Sequence, residues 1–443
     1  MNATATQRRT YLLNMGPSHP AMHGVIRLLL ELDGERVVKA DAEIGYLHRA
    51  FEKQAEDDCW NNVIPYTDRL NYVSPLINNV GYCLAVEKLC GIETPERCQY
   101  LRVIASEISR VTDHLTCVGA SAMELGAFTV FLYLMQAREV LYFCVDKLTG
   151  ARITTSYTRI GGVKADLPEG FETMVHDAFR KVREAVRESD ALLTRNRIFM
   201  DRMRGIGVLP RATALAYGVT GPLLRAAGVP YDLRRAQPYL VYDKLDFEVP
   251  VGSQGDNFDR YLVRLAEIEQ GMRIVEQCLR DMPAGPVRSS DPRLLDAAEM
   301  ADAGKRGETG RLSGSDADGD PTLEGTGERF KAGISAPAPD AVLPTKERAY
   351  GSIEGLMNHF ELVMWGRGVT PPPGETYFAV EAGNGELGFH VVSDGSRRPY
   401  RVRVRPPCFF NMAALHTMLE GGTVADIIAT FGSINMIAGE LDR

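Results

Sequence analysis

Asn14-Met15-Gly16-Pro17-Ser18-His19-Pro20-Ala21-Met22-His23-Gly24 sets two histidines four residues apart in a segment that no helix can hold. Proline fixes φ and glycine supplies backbone angles closed to other residues, so the segment is a tight loop. A hairpin follows it. Val25–Leu32 is a short apolar run, Asp33-Gly34 is a strong turn signal, and Glu35–Ile44 leads back. The expectation for residues 1–46 is a small antiparallel β unit carrying a rigid loop. Such a loop is well suited to aim an imidazole at a ligand. An isolated loop histidine is by default structural, so the case for His19 and His23 rests on what surrounds them.

Outward from this loop, the 443 residues are enough chain for a large buried core. The net charge is −8, with 50 Lys and Arg against 58 Asp and Glu. That balance argues against a nucleic-acid binder, which needs a basic footprint. The cysteines, Cys59, Cys83, Cys90, Cys98, Cys117, Cys144, Cys278 and Cys408, include no C-x-x-C pair. Scattered in this way they read as reduced core residues, not as a zinc site or an iron–sulfur cradle. Met1–Thr10 is polar and lacks an apolar signal core, which favours a prokaryotic protein that stays in the cytoplasm. Leu115–Gln136 is nearly free of charge and about long enough to cross a bilayer. Glu124 in its middle is costly against lipid, so a helix buried in protein is the better reading.

From Leu47 to about Met282 the chain reads as a helical core, over 47–290. Leu101, Ile104, Ile108, Val111, Leu115 and Val118 recur at helical spacing, as do Phe258, Leu262, Leu265, Ile268, Met272, Val275 and Leu279 after a plausible Asp256 cap. Residues 291–345 read as a flexible insert or linker. Within 300–328, apart from Met300, only Leu312 and Leu323 are large and apolar, too few to offset chain entropy. Asp316, Asp318 and Asp320 mimic a calcium loop, but Pro321 stands where that loop needs glycine and Gly327 where it needs glutamate, so the site is rejected. Residues 346–443 read as an α/β part that completes the same domain. A helix restarts near Gly351 with Leu356, Phe360 and Met364. Tyr377–Val380, Phe389–Val392 and Tyr400–Arg405 read as strands after the prolines at 371–373. Arg401, Arg403 and Arg405 share one strand face, expected to be a solvated edge or, less favoured, a contact for an acidic partner. The fold class is α+β, a large, mainly helical core with small antiparallel β units near both termini.

No Walker loop and no strand leading into G-x-G-x-x-G is present, and no Ser–His–Asp or Cys–His nucleophile is evident. Gly161-Gly162 reads as a close backbone approach. Any electron handled here has to come from another chain.

Gly45-Tyr46-Leu47-His48-Arg49-Ala50-Phe51-Glu52-Lys53, Tyr66-Thr67-Asp68-Arg69-Leu70-Asn71-Tyr72-Val73-Ser74, Arg159-Ile160-Gly161-Gly162-Val163 and the closing Ala438-Gly439-Glu440-Leu441-Asp442-Arg443 stand in this order along the chain. Together with the histidine loop they resemble the 49 kDa-type (D-type) subunit of respiratory complex I, the proton-pumping NADH:quinone oxidoreductase. The resemblance spans nearly the whole chain apart from the insert. It implies a fold related to the [NiFe]-hydrogenase large subunit. The cysteine pairs of that metal centre are missing from Ser433–Gly439, so the hydrogenase chemistry is rejected.

The resemblance further implies a wall of a quinone cavity, with no metal or cofactor held by this chain. Quinone is the substrate, and the [4Fe–4S] cluster sits in the adjacent, small B-type subunit. His23, Tyr72 and Glu124 are the implied chemical residues, with His19, Ser74 and Leu441 at the pocket. Glu124 departs from the aspartate that many relatives carry. Arg69, Thr154 and Thr155 lie near the partner's cluster, and the threonines replace a histidine run. The implied partners are the B-, C- and I-type subunits and the membrane-embedded H-type subunit, on the cytoplasmic face of a bacterial inner membrane. Three other readings stand beside this one: the same protein in a complex fed by ferredoxin or another donor, a scaffold without a substrate role, and, least favoured, a free-standing metalloenzyme.

Overall fold

Alternating apolar residues build the first layer. The computed structural model describes residues 10–18, 24–289, 346–363 and 368–443. In it, β1 (Tyr11–Met15), β2 (Arg27–Asp33) and β3 (Arg36–Glu43) form an antiparallel sheet in that order. Leu28, Leu30 and Leu32 of β2 point into the core while their neighbours remain half-exposed. The chain turns at Asp33-Gly34, as the hairpin signal predicts, with Gly34 at φ +63°. The free edge of β3 is closed by the C-terminal part: Val37 N–H donates to Gly422 O (2.9 Å) and Val424 N–H to Glu35 O (2.9 Å).

The body is helical: α1 (Phe51–Asp57), α2 (Pro75–Cys90), α3 (Glu96–Glu124), α4 (Phe128–Thr149), α5 (Phe171–Leu193) and α6 (Asn257–Asp281). α3 is the axis and packs against α2, α4 and α6. Its expected stripe, Leu101 to Val118, is fully interior. In α6 the Asp256 cap is present, its carboxylate accepting Asp259 N–H at 2.8 Å. Leu262 is the exception in that stripe, 37% exposed.

Leu115–Gln136 is not one helix. α3 ends at Glu124, Gly126 takes φ +91°, and Gly126 N–H and Ala127 N–H close the turn on Met123 O and Ala122 O. Glu124 therefore sits at a helix end, half-buried, and not in the middle of an apolar span. α4 is long and apolar enough to cross a membrane by length and composition; here it packs between α3 and α5.

Arg159–Val163 forms a minimal hairpin of β4 (Thr158–Arg159) and β5 (Gly162–Val163). The expected close backbone approach is visible. Buried Glu87 accepts Gly161 N–H (2.7 Å) and pairs with Arg102, whose guanidinium donates to Arg159 O and Gly162 O.

A second antiparallel sheet, β6 (Gly374–Ala382), β7 (Gly385–Ser393) and β8 (Arg401–Arg405), covers α2 with Val380, Leu387, Phe389 and Val391. The arginine face of β8 is solvated, as expected: Arg401 and Arg403 are exposed while Val402 and Val404 are buried, and the two arginines also form ion pairs within the chain. Arg403 pairs with Glu52 at 3.0 Å and Arg401 with Glu56 at 3.3 Å, both on α1 of the same chain. Helical residues resume at Lys346–Gly351 and Ile353–Val363, while Met364 and the insert, with its rejected calcium pattern, lie outside the described residues. The chain ends through α7 (Pro407–Ala413), α8 (Val424–Ile434) and α9 (Ala438–Leu441). All eight cysteines are free and buried, as their scatter predicts.

Charge inside this body is neutralised locally. Glu107 of α3 accepts Arg110 Nε (3.1 Å), Arg234 Nη1 (3.1 Å) and Tyr242 OH (2.6 Å), all fully buried. Removing one member of such a cluster strands the others, at about 3–5 kcal/mol. Glu107→Ala should therefore lower the thermal midpoint sharply or prevent accumulation of folded chain; a wild-type melting curve would show that the cluster is dispensable. The cluster also sets an acid limit. Burial pushes the Asp232 carboxyl up, but Arg234 and Arg225 outweigh it and hold the group at about 2, against an ordinary 3.8. Its contribution is complete above 3.8 and is lost as pH falls toward 2.

Candidate functional site

The C-terminal tail gathers the motifs. Asp442 accepts Gly45 N–H at 2.9 Å and Leu47 N–H at 2.8 Å, and its carbonyl meets His48 Nδ1 at 2.7 Å. Three backbone and ring contacts from one residue thus fix Gly45–His48 where β3 gives way to α1. A Cβ on Gly439 would lie 2.6 Å from Arg69 O and 2.8 Å from Leu70 O, so only glycine lets α9 rest on the turn before Tyr72. Leu441 is buried in one core with Val73, Met15 and Ile26.

Met15 and Ile26 flank the histidine loop. Ser18 and Val25 bridge its base, and Gly16 turns there at φ +95°. His19 and His23 lie outside the described residues. The loop's two ends are thus rooted in the core that Val73 and Leu441 share, next in sequence to Tyr72.

Tyr72 is 37% exposed and lines a narrow cleft with Pro75, Tyr142, Arg152 and Ile153. Its phenol is pushed up, first by desolvation and then by the Cys408 thiol, with Arg49 opposing. Arg49 donates to Arg69 O at 2.7 Å, and the Arg69 guanidinium donates to Pro65 O. Of the two, Arg49 is the cation that acts on the phenol.

Arg69 and the Thr154–Thr155 loop are brought together by Asp68. This buried carboxylate accepts Ser156 N–H (3.1 Å) and Ser156 Oγ–H (2.8 Å), and burial raises its pKa. The tethered loop is strained, with Thr154 at φ +58° and Ser156 at φ +43°. Thr154 is exposed and Thr155 is buried.

Ser74 faces the interior. Its hydroxyl donates to Asp113 at 2.9 Å, and Asn71 Nδ2 reaches the same carboxylate oxygen at 3.1 Å. Asn435 Nδ2 bridges Asp113 Oδ1 (2.8 Å) and Asn384 Oδ1 (2.7 Å). Asn384 Nδ2 lies 3.5 Å from Cys408 Sγ, and Cys408 N–H donates to Glu440 at 3.0 Å. Burial, with a smaller push from Asp113 and against the Cys408 N–H bond, raises Glu440 to about 7. Sequence reasoning missed Asn71, Asp113, Asn384, Cys408, Asn435 and Glu440 as a group, because five separate segments supply them. The available signal was a charged residue, Asp113, beside the apolar stripe of α3.

Glu124 is remote from this cluster's bonds and lies against α8. Its Oε2 is 2.5 Å from where a Cβ of Gly432 would be. Among the described residues, no group of three or more His, Cys, Asp or Glu could hold a metal ion.

Comparison with known proteins gives a consistent pattern. The family described as respiratory-chain NADH dehydrogenase, 49 kDa subunit, matches residues 124–443. The first of the numbered D-type subunits of NADH-quinone oxidoreductase from Sorangium cellulosum is 48% identical over 433 residues, 98% of this chain and 95% of that one. The D-type subunit of the Myxococcus xanthus NADH-quinone oxidoreductase is 48% identical over 437 residues, 99% and 94% of the two chains. A Bdellovibrio bacteriovorus protein, named as the C/D-type subunit, is 47% identical over 431 residues, 97% of this chain and 68% of that one.

The Gly439 contact is testable. Gly439→Ala drives a methyl group into backbone, where overpacking costs about 1–3 kcal/mol. The variant should loosen the C-terminal tail, seen as faster carboxypeptidase trimming and a lower melting temperature. Unchanged trimming would show that α9 does not depend on that approach.

Proposed function

We propose a function from one premise: this chain belongs to the 49 kDa-subunit family of the respiratory-chain NADH dehydrogenase. It is a subunit of an NADH-quinone oxidoreductase. Within that complex we assign it one wall of the quinone site, with Tyr72 and His23 binding the head group beside the terminal [4Fe–4S] cluster of the neighbouring B-type subunit. The observation that carries this is the placement of Tyr72. It is partly exposed in a cleft, next to the core in which the histidine loop is rooted, with Arg49 acting on its phenol.

Reduction of a quinone to a quinol takes up two protons with two electrons. The partner's cluster supplies the electrons. The Tyr72 phenol donates a hydrogen bond and then a proton to one quinone oxygen, and the His23 imidazole serves the other. The raised phenol pKa keeps Tyr72 protonated until reduced quinone draws the proton away. Arg49 stabilises negative charge as it develops on the head group, while Arg69, with Thr154 and Thr155, is assigned to the side of the partner's cluster. Glu124 is assigned a proton-exchanging role with His23, and His19, Ser74 and Leu441 support the pocket. The C-, I- and H-type subunits complete the proposed surroundings; the relative with the joint C/D name supports proximity to the first of these. The reading further places the complex on the cytoplasmic face of a bacterial inner membrane, coupled to proton translocation, with the chain itself peripheral.

His23→Ala or Tyr72→Phe in the assembled complex should slow quinone reduction by on the order of 10²-fold. NADH oxidation by ferricyanide should persist. Near-normal quinone turnover in both variants removes the assignment.

The loop at Thr154 and Thr155 generates a further expectation. Threonine exchanges no proton near neutrality, so the adjacent cluster should have a comparatively low potential with little pH dependence. A potential of that kind suits a low-potential quinone such as menaquinone. An EPR redox titration at several pH values checks this. A clear slope that Asp68→Asn abolishes would place the linked proton on Asp68 instead.

A further inference from the structure

Tyr72 rides on a turn whose other residues are enclosed. Leu70, Asn71 and Ser74 are fully buried and Val73 is nearly so, while Tyr72 reaches the cleft. Asn71 Oδ1 accepts Val73 N–H at 3.1 Å and Ser74 N–H at 3.3 Å, which closes an Asx-type turn around Tyr72. The other end of that amide, Nδ2, donates to Asp113 Oδ2 at 3.1 Å.

Ser74 stands at the N-cap of α2, where a serine hydroxyl ordinarily accepts a backbone N–H of the first turn. It makes no such bond here. Its hydroxyl donates instead to the same Asp113 oxygen at 2.9 Å, 39 positions along the chain. Asp113 is itself held from two further sides. Asn435 Nδ2, at the end of α8, donates to its Oδ1 at 2.8 Å. Gly383, in the β6–β7 turn, rests so close to Oδ2 that a Cβ there would overlap it. All three bonds run into the carboxylate. One oxygen on α3 thus ties the residue before Tyr72 and the second residue after it to a single point, and those two anchors fix the direction in which the phenol leaves the turn.

We propose that Asp113 is the positioning residue for Tyr72: by accepting Asn71 and Ser74 on one oxygen, it sets where the phenol meets the quinone oxygen. It touches no substrate and acts through Tyr72, so the proposal rests on the quinone-site reading above. Proton transfer needs the phenol within hydrogen-bond reach of the head group, and a misplacement of about 1 Å slows such a step by up to about 100-fold.

The test uses the assembled complex carrying Asp113→Ala, Asp113→Asn or Gly383→Ala, each made with Tyr72 intact and with Tyr72→Phe. With Tyr72 intact, Asp113→Ala should lower kcat for quinone on the order of tenfold, while ferricyanide reduction by NADH persists. Asp113→Asn keeps an oxygen for Asn71 and Ser74 and should recover most of that loss. Gly383→Ala leaves every hydrogen-bonding group in place but drives a methyl group onto Oδ2. It should slow quinone reduction as Asp113→Ala does, and it carries the test should Asp113→Ala fail to assemble. In the Tyr72→Phe background neither change should slow turnover further, because the group that Asp113 positions is gone. A purely structural role would lower turnover by the same factor in both backgrounds, and that result overturns the proposal. Wild-type kcat in either variant with Tyr72 intact overturns it too, as does an Asp113→Asn complex as slow as Asp113→Ala. If Tyr72→Phe alone blocks quinone reduction in that series, only this inference has failed. If Tyr72→Phe alone is near normal, the quinone-site reading has failed with it.

Discussion

A helix buried on every side has to neutralise its own charges, and α3 does so over most of its length. Glu107, Arg110, Asp113 and His114 are all interior, on the helix that carries the buried stripe from Leu101 to Val118. Glu107 takes Arg110 and Arg234; Glu267 of α6 takes Arg225 at 2.7 Å and His114 at 2.8 Å; Glu381 of β6 takes Arg225 at 2.7 Å. The Coulomb gain of such pairs is largely offset by desolvation, so the network adds less to net stability than its size suggests. Its larger effect is on register. Each guanidinium finds its carboxylates in one arrangement of α3, α6, the 225–242 segment and the second sheet, and a slip would strand a charge.

That register places the functional wall. Two turns beyond Glu107, Asp113 receives Asn71 and Ser74 from one side and Asn435 from the other. The segment bearing Tyr72 is thereby pinned to a helix whose position the arginine network has already decided. α9 then locks the assembly through Gly439 on the Arg69 turn and Asp442 on Gly45 and Leu47. The order of dependence runs from buried charge, to helix register, to the carriage of one half-exposed phenol.

How much of this is legible in the sequence follows from the range of each signal. The β2–β3 hairpin, the α3 stripe and the Asp256 cap depend on neighbours a few residues away, and all three are present. The helix break at Gly126 is local too, but low charge from Leu115 to Gln136 masks it, since hydrophobicity alone does not report a φ of +91°. Strand alternation gives the β8 arginines a common face but not what pairs with it; α1 supplies Glu52 and Glu56 from some 350 positions away. The Asp113–Glu440 cluster is invisible for the same reason. Its members are ordinary polar residues until the fold assembles them, and Glu440 inside a four-residue helix carries no periodic signature. Tyr72 and Arg69 are legible by resemblance to a motif, and their interior support is not part of that motif.

The charge layout around Tyr72 has a direction. Arg49 acts as a cation on the phenol, whereas the cluster on the interior side holds Asp113, Glu440 and the Cys408 thiol, joined through the amides of Asn384 and Asn435. On the proposed quinone-site reading, a neutral head group beside Tyr72 gains negative charge on reduction. A cation on the open side stabilises that charge where it forms. Glu440 on the closed side does not compete for it, because burial favours its neutral form. On that reading the cation acts on Tyr72 from the open side and the neutral acid lies on the closed side, so the two environments that quinone chemistry calls for are separated in space.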